Sequence, residues 1–73
     1  MNFPYKQVVY YGEDGMPVYH MVGYCNSSET KPTGDDAKDI ADGSILTESD
    51  SGDVHFYDKT ADAWGKMFSF KEA

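Results

Sequence analysis

The side chains able to do covalent or metal chemistry are few and far apart: Cys25, His20 and His55, set among 13 aspartates and glutamates. A nucleophilic cysteine needs an imidazole near enough to take its proton and a third group to orient that ring. In a regular strand, residues 20 and 25 point to opposite faces, so His20 and Cys25 do not pair and Cys25 reads as packing. Neither histidine stands at the short spacing from Cys25 that zinc sites use. Asp50-Ser51-Gly52-Asp53, after Glu48, has the composition of part of a calcium loop. It lacks the alternating Asp/Asn order and the distant bidentate Glu, and the same residues suit a tight turn. Gly12 and Gly15 flank an Asp-Gly hairpin turn and not a phosphate-cradling loop between strand and helix. Paired carboxylates for glycoside chemistry need a deep cleft, which 73 residues leave little body to build. The expectation is a protein with no catalytic residues, no metal and no cofactor: not an enzyme.

Partner classes are bounded by size and charge. A chain of 73 residues makes one small domain, expected over residues 1–73, with a thin core. Thirteen acids against six bases give a net charge of −7, the wrong sign for direct nucleic-acid binding. No apolar run reaches the roughly 20 residues of a membrane span, and Met1 to Lys6 shows no apolar signal-peptide segment. One cysteine makes no internal disulfide, so oligomerisation or docking is the simplest source of extra stability. The charge is uneven. Residues 25–53 carry eight acids and two lysines, a net of 2 − 8 = −6, while both flanks are nearly neutral and aromatic.

Those flanks read as strands. Gln7 to Tyr11 and Pro17 to Tyr24 form a hairpin around Gly12-Glu13-Asp14-Gly15. On the second strand Val18, His20, Val22 and Tyr24 share one face, and Tyr19, Met21, Gly23 and Cys25 the other. Ser44 to Glu48, Asp53 to Tyr57 and Ala63 to Phe70 read as a three-strand meander. In it Val54 and Phe56 oppose His55 and Tyr57, and Trp64, Lys66, Phe68 and Phe70 share a face. Residues 26–43 read as an acidic loop over one edge or face of the sheet. Within it Asp35 to Ala41 would form one or two helical turns, capped by Asp35 or Asp36, with Ala37, Ile40 and Ala41 facing the core. Lys71 to Ala73 reads as a frayed tail. The fold class is mainly β: a small antiparallel sheet of about five strands, two hairpins plus a short strand, with an acidic loop or short helix between.

The aromatics exceed what one face of a thin sheet buries, and tyrosine and tryptophan are enriched at interfaces. The candidate partner-binding residues are therefore Tyr10, Tyr19, Tyr57 and Trp64, together with the acidic Asp35, Asp36 and Asp39. Trp64 is also expected to hold the core.

Ser28-Glu29-Thr30-Lys31-Pro32, then the run Asp42-Gly43-Ser44-Ile45-Leu46-Thr47-Glu48-Ser49-Asp50-Ser51-Gly52-Asp53-Val54-His55-Phe56-Tyr57-Asp58, then Trp64, forms a pattern. It resembles a family of short proteins of tailed phages and prophages of Gram-positive bacteria. Those proteins carry a Lys-Pro, a Gly-Ser, an acidic Thr/Ser-Gly turn, an aromatic strand ending in Asp and a closing Trp. Ser51 stands where Thr is usual, His55 adds a titratable group, and Asp35 to Asp39 is extra acidic material. Many of that family lie among head and tail genes. The resemblance implies a virion-associated or virion-assembly component binding other phage proteins, located in the host cytoplasm or the virion, with a homo-oligomer open to it. The alternative is a phage-encoded inhibitor of a host defence nuclease, acting by acidic mimicry of nucleic acid. One continuous face of Glu29, Asp35, Asp36, Asp39 and Asp42 would favour that alternative.

Overall fold

The computed structural model describes residues 1–70; the tail expected at 71–73 lies outside them. Five strands form one sheet: β1 (Asn2–Tyr11), β2 (Pro17–Cys25), β3 (Ile45–Glu48), β4 (Asp53–Asp58) and β5 (Ala63–Ser69), in spatial order β1-β2-β3-β4-β5. The mainly β, five-strand reading holds. Gly15 has a positive φ, the left-handed conformation that the β1–β2 turn demands.

The sheet is mixed and not wholly antiparallel. β2 and β3 run parallel, while the other three pairs are antiparallel. A hairpin cannot join parallel neighbours; a crossover of a dozen or more residues is required. Residues 26–44 supply it. They leave the end of β2, cross one face of the sheet, and return beside its start, where Tyr19 and Ile40 form a parallel bridge.

The crossover carries a single 3-10 turn, Gly34–Ala37, instead of the expected α-helical turns. Neither Asp35 nor Asp36 caps it. Thr33 holds the cap position without a side-chain bond, and the Asp62 carboxylate reaches in from the β4–β5 turn to accept the Gly34 N–H at 2.8 and 3.0 Å. A carboxylate from another element thus replaces the local cap. Asp62 itself has a positive φ, uncommon for a residue other than glycine; its bonds to Gly34 and to the Tyr57 hydroxyl hold it there.

The core lies between the covered sheet face and the crossover. Met21, Ala37, Ile40 and Tyr57 form it, with Phe3, Tyr19 and Trp64 packed around. The expected core residues of the crossover, Ala37, Ile40 and Ala41, are all buried. Trp64 tilts against Tyr57 with ring centroids 5.1 Å apart and donates its indole N–H to the Pro32 carbonyl at 2.7 Å. The crossover is thus pinned to β5 at Pro32 and to the β4–β5 turn at Gly34.

Three irregularities break the simple alternation, one in the β4–β5 pairing and two in β1. In β5, Trp64 pairs with Tyr57 and Lys66 with His55, but Phe68 pairs with Val54, so Met67 is a bulge. The extra residue turns Phe68 onto the face opposite Trp64 and Lys66, not onto the same one. In β1, pairing shifts between Val8 and Tyr10, with Val9 as the extra residue, and between Asn2 and Tyr5, where the chain folds close over Gly23. A Cβ at Gly23 would lie 2.1 Å from the Asn2 carbonyl oxygen and 2.8 Å from the Phe3 ring. Gly23→Ala is therefore expected to lift the start of β1 off the sheet and cost about 1–3 kcal/mol, as overpacking does. Gly65→Ala, which meets only a ring edge at 3.1 Å, is expected to cost less. Denaturant melts of the two variants check the order; equal midpoints would contradict it.

Candidate interaction surface

The two faces of the sheet differ in chemistry. One is covered by the crossover. The other carries two rows of side chains that run across all five strands. Tyr5, Val22, Ile45, Phe56 and Gly65 form the first row; Asn2, Tyr24, Thr47, Val54 and Phe68 form the second. Tyr5, Val22, Tyr24, Phe56 and Phe68 are exposed there, between 37% and 54%. Neither row contains a charged residue. Three of its polar side chains pair within the face: the Tyr5 hydroxyl donates to Gln7 at 2.7 Å, and the Asn2 amide donates to the Tyr24 hydroxyl at 2.9 Å. The Phe56 ring lies over Gly65, filling the space that a missing side chain leaves.

A third exposed feature is the outer edge of β1. It is ten residues long, nine of them exposed, and it has a neighbour on one side only. Val8, Val9, Tyr10 and Tyr11 are 43% exposed or more.

The expected partner-binding residues do not fall together. Tyr10 sits exposed on the β1 edge. Tyr57 is a correction: it is 2% exposed and inside the core, because its strand position faces the crossover. Burial and the neighbouring Asp62 carboxylate push the pKa of its hydroxyl up to about 12. Tyr19 and Trp64 are half-buried against the same core, so their first role is packing. Asp35, Asp36 and Asp39 are exposed on the crossover. Asp35 and Asp39, with Glu13, Asp14 and Lys38, line an open groove of about 620 Å³ between the β1–β2 turn and the 3-10 turn. No histidine, cysteine or serine lines that groove.

No protein-family model, curated protein or solved structure matches this chain. Among the described residues no helix is long and apolar enough to cross a membrane.

One cluster of titratable groups lies on the covered face. Glu48, Asp53 and His55 bring their ligand atoms within 4.8 Å of one another. The sequence spacing hides this, because the β3–β4 turn brings them together across strands. The donor set does not suit a cation, however. The Lys31 ammonium already lies 2.6 Å from one Glu48 oxygen, and Ser51 donates to the other at 2.7 Å. The His55 Nε2 lies 3.2 Å from the oxygen that Lys31 holds, but at an angle that makes no hydrogen bond. Hydrogen bonds from Lys31 and Ser51 hold the Glu48 carboxyl below its ordinary range. The cluster acts as an ionic latch fastening the crossover to β3. Cys25 is buried beside it, and burial raises its thiol, which disfavours the nucleophilic thiolate.

Proposed function

We propose that the protein is a non-enzymatic protein-interaction module: a small virion-associated or virion-assembly component of a tailed phage that binds other phage proteins. The observation that carries this reading is the unpaired edge of β1. A long edge with exposed valines and tyrosines is a template for an added strand, in which main-chain hydrogen bonds give affinity and alternate side chains give specificity. The likeness of about residues 24–67 to short phage proteins supplies the class of partner.

A second reading, inhibition of a host nuclease by acidic mimicry, draws on the groove lined by Glu13, Asp14, Asp35 and Asp39. It needs one continuous acidic face. Glu29 instead accepts the Asn26 N–H just past the end of β2, while the Asp39 carbonyl accepts the Tyr19 N–H near the start of that strand. The two acids thus lie at opposite ends of β2, and that separation favours the interaction module.

The test is co-sedimentation with phage particles or assembly intermediates from lysed host cells, comparing the native chain with Val9→Lys and Tyr11→Lys. Charged residues on an edge block strand addition while leaving an exposed site folded. The native protein is expected to sediment with particles and both variants to remain in the supernatant. Native protein missing from every particle fraction would overturn the proposal. Nuclease inhibition that is lost in the triple variant Asp35→Asn, Asp36→Asn, Asp39→Asn would put the second reading in its place.

A further inference from the structure

We infer that a second copy of this chain occupies the open face of the sheet, so that two copies pack face to face as a β-sandwich. This surface is distinct from the β1 edge, and the inference stands apart from the proposed phage role. Three observations carry it.

The first is the distribution of charge. Among the described residues, the charged side chains lie on the covered face, on the crossover or in the turns. The exception is Asp58, which ends β4 on the side of Val54 and Phe56, one row beyond the two neutral rows, where it accepts the Ala61 N–H. The two rows of the open face hold no charge, in a protein whose net charge is −7. A basic partner would gain nothing electrostatic there and would be drawn to the opposite side. A neutral surface matches another neutral surface, and the chain's own copy brings one. Face-to-face sheets lie about 10 Å apart, and each acidic crossover sits roughly another 10 Å outward, so the two acidic layers end about 30 Å apart. That is several times the screening length of about 8 Å at physiological salt, so like charge does not oppose this arrangement.

The second is that the face is ready for burial. Its Tyr5 and Tyr24 hydroxyls are already hydrogen-bonded within it, so covering them leaves few polar groups unpaired. The aromatic and β-branched side chains standing in rows are the type that interdigitate between two sheets.

The third is area. Five strands about 4.8 Å apart, over some six residues each, give a face of roughly 24 by 20 Å. That is about 500 Å² of plane per copy before side-chain relief, near the lower end of specific interfaces. A weak, reversible dimer is the result.

Sedimentation equilibrium of the wild-type chain is expected to show monomer and dimer, with half-association at about 10 to 100 µM, the weak end for a small interface. Val22→Lys and Phe68→Lys, both at exposed positions, are expected to weaken association at least tenfold while keeping the far-ultraviolet circular dichroism of the native sheet. Val9→Lys, on the β1 edge, is expected to leave it unchanged. Isotope-filtered NOEs in a mixture of labelled and unlabelled wild-type protein test the same contact without mutation. Cross-copy contacts should join the Val22 and Ile45 methyls to the Phe56 and Phe68 rings. A wild-type chain that stays monomeric at about 500 µM, an association that survives both face variants, or cross-copy NOEs from the β1 edge would each overturn the inference.

Discussion

Trp64→Ala is expected to cost about 3 kcal/mol, the lower end for truncating a large aromatic, since the ring is half-buried. Three contacts are lost together. The ring no longer packs on the core around Met21, Ala37, Ile40 and Tyr57. Its tilted contact with Tyr57 at 5.1 Å disappears. The Pro32 carbonyl loses its 2.7 Å hydrogen bond, and with it the crossover loses its attachment to β5. A domain of this length is stable by about 4–11 kcal/mol, so such a loss is a large share of the total. It lowers the melting temperature by roughly 12–24 °C, at about 4–8 °C per kcal/mol for a small domain. Trp64→Phe separates the contributions. It keeps an aromatic against Tyr57 and removes only the indole N–H, so it is expected to cost about 1 kcal/mol for one hydrogen bond, plus some lost packing. Thermal melts by circular dichroism give both values. An alanine variant melting within a few degrees of the native protein would show that Trp64 does not fasten the crossover.

The strands were legible because period-two alternation and turn residues act locally. The alternation on β2 separates Met21, Gly23 and Cys25 from Val22 and Tyr24, and the structure keeps that division. Which of the two faces would be covered was not legible from alternation, since both contain apolar residues. Gly23 is the signal that was available: a residue without a side chain suits the face on which another piece of chain lies close, and the start of β1 does so. The parallel pairing of β2 and β3 was hidden for a different reason. A polar, acidic segment reads as a solvated loop, yet residues 26–44 serve as the crossover, held by bonds to Asp62, Trp64 and Glu48 from distant elements. The same long-range capture by Asp62 explains the missing Asp35 cap. The bulge at Met67 has no local marker, and it moved Phe68 to the open face. Candidate partner residues chosen by aromatic type alone therefore mixed a core residue, Tyr57, with an edge residue, Tyr10. The open face was carried instead by Tyr5, Val22, Tyr24, Phe56 and Phe68.

Glu48→Ala tests the ionic latch, with an expected cost of about 2–3 kcal/mol. Breaking a buried ion pair by removing one partner costs about 3–5 kcal/mol, because the other charge is left uncompensated. Here the Lys31 side chain keeps 15% exposure and can turn partly to water, which reduces the penalty. Glu48→Gln retains acceptors and donors for Lys31 and Ser51 but not the charge, so it is expected to cost less, about 1–2 kcal/mol, the difference between a charged and a neutral hydrogen bond. The two variants also differ from the native chain in their response to acid. The folded protein holds the Glu48 carboxyl below its ordinary value, so at low pH the unfolded chain binds the proton first. The stability gained from this group is complete above the unfolded value of about 4.3 and is lost as pH falls through the depressed folded value. Asp50 and Asp62 are held low as well, by Ser27 and by Gly34, and give the same sign of dependence. Glu48→Gln is therefore expected to flatten, without abolishing, the fall in denaturation midpoint between about pH 5 and pH 3. If native and Gln variants lose stability in parallel across that range, Glu48 is not a charged partner of Lys31 in the folded protein, and the crossover is fastened by Trp64 and Asp62 without it.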